Sequence, residues 1–189
     1  MKIEKVTIED AAELLQIYGY YIKNTAIAFD YDVPTLGEFQ QKIIDISSKY
    51  PFIKAVDNGE ILGYAYANTF KDRKAYDWSV ETTIYVKQDK RRMGIGKSLY
   101  LALEQALKNM GILNMNACIA VPQKEDKFLT FASYHFHKKM GFTLAGRFHK
   151  IGYKFNNWYD IVWMEKLLGE HPAFPPEVQF GKWPEQGLL

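Results

Sequence analysis

The sequence contains a single cysteine, Cys118, among 189 residues. One cysteine cannot form an internal disulfide, and alone it cannot build a cysteine-based zinc site. Cys118 lies in a strand-like run between "MNA" and "IAV". We therefore expect a small buried hydrophobic side chain, and we expect no metal in the functional site.

Long apolar runs and a strong net charge are also missing. No run of about 18 apolar residues occurs, and the first residues, "MKIEKVTIEDAAELL", lack the apolar core of a signal peptide. The 24 basic and 22 acidic residues leave a formal charge of +2, which attracts neither nucleic acid nor membranes. These features predict a cytoplasmic protein that binds neither.

The hydrophobic periodicity predicts one domain with a strand, two helices, three strands, a helix, a strand, a helix and two final strands. We place this domain at residues 1–168. Residues 169–189 hold four of the seven prolines and predict an extended surface tail without regular helix. The local signals are Thr7 as the first helix cap, Thr35 or its neighbour as the second, the Asn58-Gly59 turn, a third helix at 98–109 that stops at Gly111, and a final turn at Asn156-Asn157.

A basic, glycine-containing stretch, "QDKRRMGIGKSL" at residues 88–99, lies between the strand "TTIYV" and a helix. Glycine lets a ligand approach the main chain, and a helix start offers free N–H groups and a positive dipole end. The stretch therefore predicts a phosphate-binding bend. It lacks the first glycine of an ATP-binding loop, and Leu99 replaces the third glycine of a dinucleotide fingerprint. The alternative is that Gly94 and Gly96 serve turn geometry only.

The pattern Arg-x-x-Gly-x-Gly at 91–96 resembles the GNAT family of N-acetyltransferases. The resemblance extends from about residue 5 to 168 and is strongest to the phosphinothricin and methionine sulfone/sulfoximine acetyltransferases. It implies an α/β (α+β) fold with a mixed, mostly antiparallel sheet of about seven strands, splayed between strands 4 and 5 and flanked by about four helices. The segments that carry it are "YPFIKAVDNGEILGYAYANTF", "RKAYDWSVETTIYV", "SYHFHKKMGF" and "GYKFNNWYDIVWMEKLL".

The resemblance implies acetyl transfer from acetyl-CoA to the primary amine of a small amino-acid-like substrate, by direct attack in a ternary complex. A bulge in the fourth strand is expected to open a slot for pantetheine between "TTIYV" and "ACIAV". The branch usually has asparagine at position 130, where this chain has threonine. The residues implied in cofactor binding are Ile84, Tyr85, Val86, Arg91, Arg92, Met93, Gly94, Ile95, Gly96, Lys97, Ser98, Thr130 and Ser133.

The resemblance also implies two catalytic residues. Glu81 is expected to be the general base for the amine, and its alternative is an ion pair with a nearby cation. His137 is expected to protonate the departing thiolate, since histidine titrates near neutrality, and its alternative is a structural hydrogen bond.

Five residues are implied in acceptor binding. Arg73 is expected to bind the substrate carboxylate, because a guanidinium binds carboxylates bidentately. The others are Tyr76, Phe29, Phe70 and Lys154. The aromatic last strands predict a homodimer. Three alternatives stay open at this point: acetylation of a protein or peptide, a non-catalytic acetyl-CoA-binding module, and nucleic-acid binding.

Overall fold

The computed structural model describes residues 1–183, and these form one seven-stranded sheet with four α-helices. The predicted order of elements is confirmed. None of the described helices has the length and apolar character needed to cross a membrane. The strands are Lys2–Lys5 (β1), Phe52–Asp57 (β2), Glu60–Thr69 (β3), Ser79–Val86 (β4), Asn114–Val121 (β5), Thr143–Lys154 (β6) and Asn157–Leu167 (β7). The helices are Ala11–Asn24 (α1), Leu36–Ser47 (α2), Ile95–Met110 (α3) and Ala132–Lys139 (α4).

Local signals in the sequence fix most of these boundaries. Thr35 Oγ1 accepts from Glu38 N–H at 3.3 Å while Glu38 accepts from Thr35 N–H at 2.7 Å, the reciprocal capping box that starts a helix. Asn58 and Gly59 have φ of 48° and 82°, as a tight two-residue hairpin turn requires. The predicted cap and turn are confirmed.

Two predicted boundaries were wrong by a few residues. The third helix begins at Ile95, not at residue 98, because Gly94 takes the cap position with φ of 83°. The final turn consists of Phe155 and Asn156, with φ of 51° and 59°. Positive φ at a non-glycine residue is uncommon, and the sequence carries no glycine there to indicate the turn.

The strand order is β1-β2-β3-β4-β5-β7-β6, and β4-β5 is the one parallel neighbouring pair within residues 1–183. Tyr85 of β4 packs against rings of α1, whereas Thr82 of the same strand lies 3.3 Å from the Tyr100 hydroxyl of α3. Alternate residues of a strand point to opposite faces. Helices α1 and α3 therefore cover opposite faces of the sheet.

Strands β4 and β5 separate after a short paired segment. Ser79–Glu81 pair with residues 114–116, and beyond them β4 pairs only with β3 and β5 only with β7. The register between β3 and β4 runs without a shift from Thr69↔Val80 to Gly63↔Val86. The splayed sheet is confirmed, but the expected bulge in β4 was wrong, because it would have shifted this register.

Residues 169–183 form no helix or strand and return to the body of the protein. Trp183 is 7% exposed and belongs to the main core cluster. Val178 and Phe180 pack against the same cluster. The expected irregular structure is confirmed, and the expected surface position was wrong for Trp183, because a large aromatic side chain gains much by burial. The domain boundary at residue 168 stays a prediction.

Candidate active site

Main-chain groups line the slot between β4 and β5. Lys87 N–H donates to Leu62 O at 2.8 Å. Successive residues of a strand point their N–H and C=O groups to opposite sides, so this bond shows which residues of β4 face β3. Tyr85 therefore turns its main chain toward β3, and Ile84 and Val86 turn theirs toward the slot. An extended chain that carries amides can add to such an edge as a further strand.

Aromatic residues of α1 close one side of this edge. The Tyr21 hydroxyl donates to Val86 O at 2.6 Å, so that carbonyl is already satisfied. The Tyr85 ring lies 5.1 and 5.0 Å from the Tyr18 and Tyr21 rings. The main-chain groups that still line the slot are the N–H and C=O of Ile84 and the N–H of Val86. The Tyr85 side chain packs against the core instead.

The bend before α3 presents unpaired N–H groups. Gly94 and Arg92 have φ of 83° and 66°, and Ser98 N–H donates to Gly94 O at 3.1 Å. In the described part of the chain, the N–H groups of residues 95–97 have no protein acceptor, and the first turn has no acidic residue. Three N–H groups at a positive helix end form an anion-binding site.

Glycine suits the two positions of the bend for different reasons. A Cβ at Gly94 would meet nothing within 4 Å, but its φ is one that other residues rarely adopt. A Cβ at Gly96 would lie 3.2 Å from the Phe136 ring and 3.6 Å from Ile84 Cδ1. A side chain at residue 96 would press on the Phe136 ring where α3 packs over α4 and the slot, which places the bend beside the slot.

The side chains of the bend mostly face solvent. Arg91, Arg92, Met93 and Lys97 are exposed, and Ile95 is buried in the core. Arg91 Nη1 donates to Gln88 Oε1 at 3.2 Å, and the Arg92 and Lys97 side chains have no protein partner among residues 1–183. The exposed cations add positive charge around the free N–H groups.

The two residues predicted at α4 lie at its start. Thr130 is exposed, and its hydroxyl accepts from Ala132 N–H at 3.3 Å. Ser133 is half-buried, with Oγ 3.5 Å from His137 Nδ1. Thr130 therefore supports the first turn of the helix, and its hydroxyl proton remains available to a ligand.

Glu81 lies where the two strands begin to separate. Its side chain is half-buried, and burial raises the pKa of its carboxyl above the ordinary 4.5, while the Lys71 charge opposes that rise. No hydrogen bond or ion pair to this carboxylate occurs within residues 1–183. The ion-pair alternative therefore lacks a partner there. A half-buried carboxylate with free lone pairs is suited to accept a proton.

Cys118 of β5 was expected in the core and is exposed instead. It sits opposite Trp163 of β7, beyond the point where β4 separates from β5. Desolvation, and then the charge of Glu81, raise the pKa of its thiol to about 11. The buried prediction was wrong because the splaying of the strands uncovers a residue that a closed sheet would hide.

His137 is 3% exposed and makes two short contacts inside the protein. Nδ1 lies 2.8 Å from Ser133 O and Nε2 lies 2.8 Å from the Tyr100 hydroxyl. A carbonyl only accepts, so Nδ1 carries the proton and Nε2 accepts from Tyr100. Burial lowers the pKa of His137 from 6.5 to about 4. The structural alternative is the one that these contacts support, and a role as proton donor stays untested.

The predicted acceptor residues fall into two groups. The first surrounds the loop between β3 and β4, where the Phe70 ring lies 5.8 Å from Tyr76 and 5.5 Å from Trp163. Arg73 is exposed on this loop, and its guanidinium has no hydrogen bond or ion pair within residues 1–183. Its donors are therefore free to bind an anion.

The second group lies where the loop after α1 meets the last hairpin. Phe29 packs against Gly152, where any Cβ would overlap the ring, and its ring lies 6.5 Å from that of Tyr159. Buried Lys154 donates through Nζ to Ile22 O and Ala28 O at 2.7 Å each. Its ammonium thus holds the loop that carries Phe29, and burial lowers the pKa of Lys154.

Both groups lie on the same face of β7. Trp163 and Tyr159 are four residues apart and so point to the same side of that strand. The sequence analysis missed Lys71, whose Nζ lies 5.5 Å from the Phe70 ring centre and 6.0 Å from that of Trp163. The sequence shows that Lys71 follows Phe70, but its proximity to Trp163 depends on the pairing of β5 with β7.

Among residues 1–183, no cluster of three His, Cys, Asp or Glu side chains is arranged to hold a metal ion. The expectation of a metal-free site stays a prediction.

Comparisons with known proteins agree with this geometry. Residues 3–163 match the family described as acetyltransferase (GNAT) domain. The phosphinothricin N-acetyltransferase of Streptomyces viridochromogenes is 30% identical over 95% of this chain and 93% of its own. The L-methionine sulfoximine/L-methionine sulfone acetyltransferase of Pseudomonas paraeruginosa is 28% identical over 92% and 98%.

A solved structure shows the same architecture. The phosphinothricin acetyltransferase of Sinorhizobium meliloti, in complex with AcCoA, superposes with a TM-score of 0.83 at 29% identity, over 93% of this chain and 92% of that one. The parallel β4-β5 pair that separates, the bend before α3 and a family match over most of the chain lead to one conclusion: this protein is an acyltransferase that belongs to the GNAT acetyltransferase family.

Proposed function

We propose that this protein transfers the acetyl group of acetyl-CoA to the primary amine of a small amino-acid-like substrate. The observation that carries the proposal is Glu81, a half-buried carboxylate without a protein partner in the described chain, at the point where the slot opens. Arg73 and its free donors lie on the loop that leads into the same strand. An amine and a carboxylate on one small molecule match these two groups.

The residues present fit acetyl-CoA. The free N–H groups of residues 95–97 would hold its pyrophosphate, and the main chain of Ile84 and Val86 would bind the amides of its pantetheine arm. Acetyl-CoA supplies an activated acyl group as a thioester. Glu81 would take a proton from the substrate amine as its nitrogen bonds to the acetyl carbon, and coenzyme A would leave as its thiolate.

The substrate class follows from the loop residues and from the relatives. Phosphinothricin, methionine sulfone, methionine sulfoximine and other L-amino acids all carry a primary amine and a carboxylate. Arg73 favours such a carboxylated acceptor, and the Phe70, Tyr76 and Trp163 rings would face its side chain. The relatives named above act on substrates of this kind according to their names.

A thiol-release assay with acetyl-CoA tests this function. The panel contains phosphinothricin, methionine sulfone, methionine sulfoximine and the common L-amino acids, together with a lysine-containing peptide. We expect turnover with at least one free amino acid and none with the peptide. Turnover with the peptide alone, or with no amine, would contradict the proposal.

Replacement of Gly94 by alanine should weaken acetyl-CoA binding about tenfold, because a left-handed conformation costs other residues about 1–2 kcal/mol. Titration calorimetry measures the dissociation constant. Gly37→Ala is the matched control, since Gly37 also has nothing within 4 Å of an added Cβ but has no positive φ. Equal affinity of both variants would show that the bend does not hold the coenzyme.

We also propose that the protein acts as a homodimer through its last hairpin. Phe148, Ile151, Tyr153 and Trp158 are each about half exposed, and β6 is an edge strand with one unpaired side. A second copy would cover this apolar surface. A cytoplasmic location also stays a prediction.

Light scattering tests the dimer. The wild type should have twice the 21.9 kDa mass of one chain, and Phe148→Lys with Ile151→Lys should lower the mass toward one chain. Leu101→Lys, at an exposed apolar residue of α3, should leave the dimer intact. A wild type that runs as a single chain at every concentration refutes this proposal.

A further inference from the structure

We propose that the C-terminal segment 171–183, here called the strap, positions the loop that carries Arg73, through the indole of Trp78. The inference rests on the proposed function, because it concerns the loop assigned there to the acceptor. The strap lies beyond the family match, which ends at residue 163, and the sequence analysis gave neither the strap nor Trp78 a role in substrate affinity.

Trp78 is the last residue of the loop before β4 and is fixed from two sides. Its carbonyl accepts from Leu113 N–H at 2.9 Å and Asn114 N–H at 3.0 Å. Its indole Nε1 donates to Pro176 O of the strap at 2.8 Å. The main-chain bonds hold the start of β4, and the indole bond is the direct link between the loop and the strap.

The strap is itself anchored at several points along the protein. Gln179 N–H donates to Met110 O at 2.8 Å, and Gly181 N–H donates to Lys49 O at 3.0 Å. Phe180 meets the Tyr50 ring edge to face at 5.6 Å. These contacts span the ends of α2 and α3, so Pro176 O belongs to a fixed surface.

The strap is well suited to hold its conformation without regular structure. Pro172, Pro175 and Pro176 restrict the backbone, and Trp183 ends the described segment in the core, with Lys5 Nζ 4.2 Å from its ring centre. Little entropy is lost when such a segment docks. The position of Pro176 O is therefore set before any substrate binds.

The position of Arg73 depends on this loop. Its guanidinium has no protein partner within residues 1–183, so no side-chain contact holds it, and the main chain of the loop sets the region that it can reach. Two bonds shape the turn, Tyr76 N–H to Arg73 O at 2.9 Å and Asp77 N–H to Lys74 O at 3.1 Å. Trp78 follows immediately, and a shift of its ring can move this turn, because residues 73–76 are exposed and Asp77 is only half-buried. Small displacements of a binding group reduce its effect strongly.

Trp78→Phe removes the N–H while it keeps an aromatic ring. We expect KM for the acceptor to rise roughly 3- to 10-fold, the loss of one ordinary hydrogen bond, with KM for acetyl-CoA unchanged. Trp183→Phe is the matched control, a tryptophan of the strap whose indole has no hydrogen bond among residues 1–183. It should leave both KM values unchanged.

Two further readouts separate positioning from stability. In an Arg73→Ala background, Trp78→Phe should raise acceptor KM no further, because its effect passes through Arg73. Hydrogen exchange at the Tyr76 and Asp77 amides should be faster in Trp78→Phe and unchanged in Trp183→Phe.

The outcomes distinguish this inference from the proposed function. Unchanged exchange in Trp78→Phe overturns the role of the strap, even if the enzyme has no amino-acid substrate. Positioning through Arg73 is overturned if Trp78→Phe exchanges faster but keeps the wild-type acceptor KM. It is also overturned if Trp78→Phe raises the acceptor KM as much in the Arg73→Ala background as in the wild type. A wild type that turns over no carboxylated amine refutes the proposed function, and the exchange result then still decides whether the strap holds the loop.

Discussion

Replacement of Glu81 by glutamine should lower kcat about 100-fold or more, the usual contribution of a positioned general base. Glutamine keeps the shape of the side chain but cannot accept the amine proton. The KM for acetyl-CoA should stay unchanged, because the coenzyme is proposed to bind main-chain groups. Steady-state kinetics with the best acceptor of the panel measures both values.

The same replacement should not destabilise the protein. Burial raises the folded-state pKa of Glu81, so the ionised carboxylate opposes folding increasingly as the pH rises above its ordinary 4.5. At neutral pH, Glu81→Gln should therefore melt at the wild-type temperature or above it. The kcat of the wild type should fall as the pH is lowered through the raised pKa of Glu81, a dependence that the variant lacks.

Glu165→Gln is the matched control for Glu81. Glu165 of β7 pairs with Asn116, which in turn pairs with Glu81, and it is also half-buried. This control should keep wild-type turnover. A Glu81→Gln variant with wild-type kcat would show that Glu81 is not the general base.

Replacement of Arg73 by alanine should raise KM for a carboxylated acceptor roughly 10- to 100-fold, the worth of hydrogen bonds to a charged group. Lysine at this position should recover only part of the affinity, because an ammonium cannot bind a carboxylate through two parallel bonds. The acceptor amide, which lacks the carboxylate charge, should be a poor substrate for the wild type and should lose little further in Arg73→Ala.

Lys74→Ala provides the control for a lost positive charge on the same loop. Lys74 is an exposed neighbour of Arg73, and its removal should change acceptor KM less than twofold, as for most surface cations. If Arg73→Ala leaves KM unchanged for every carboxylated amine, the acceptor assignment is wrong.

Much of the fold could be predicted because its signals are local. The capping box at Thr35, the turn at Asn58 and Gly59, and the helix stop at Gly111 each act within a few residues. The mixed sheet and its splaying between strands 4 and 5 came instead from the family resemblance. The missing bulge in β4 shows the limit of that route, since the register of one pair is specific to this chain.

The places of the bend at residues 91–98 and of Glu81 beside the slot could be predicted, because main chain or a single charged group defines them, and their roles stay predictions. The environment of a side chain could not be predicted at positions where tertiary packing decides its burial. Cys118 became exposed because β4 departs from β5, and His137 became buried because Tyr100 and Ser133 enclose it. The contact of Pro176 with Trp78 joins residues 98 positions apart, beyond the reach of any local pattern.

An amide NMR titration with acetyl-CoA tests the central claim most directly, because that claim concerns main-chain groups. Binding should shift the amide signals of Ile84, Val86 and residues 95–97 most. Saturating acetyl-pantetheine, which lacks the pyrophosphate, should still shift Ile84 and Val86 but should leave residues 95–97 nearly unchanged. Shifts confined to other parts of the sheet, or no shifts at saturating acetyl-CoA, would contradict the account.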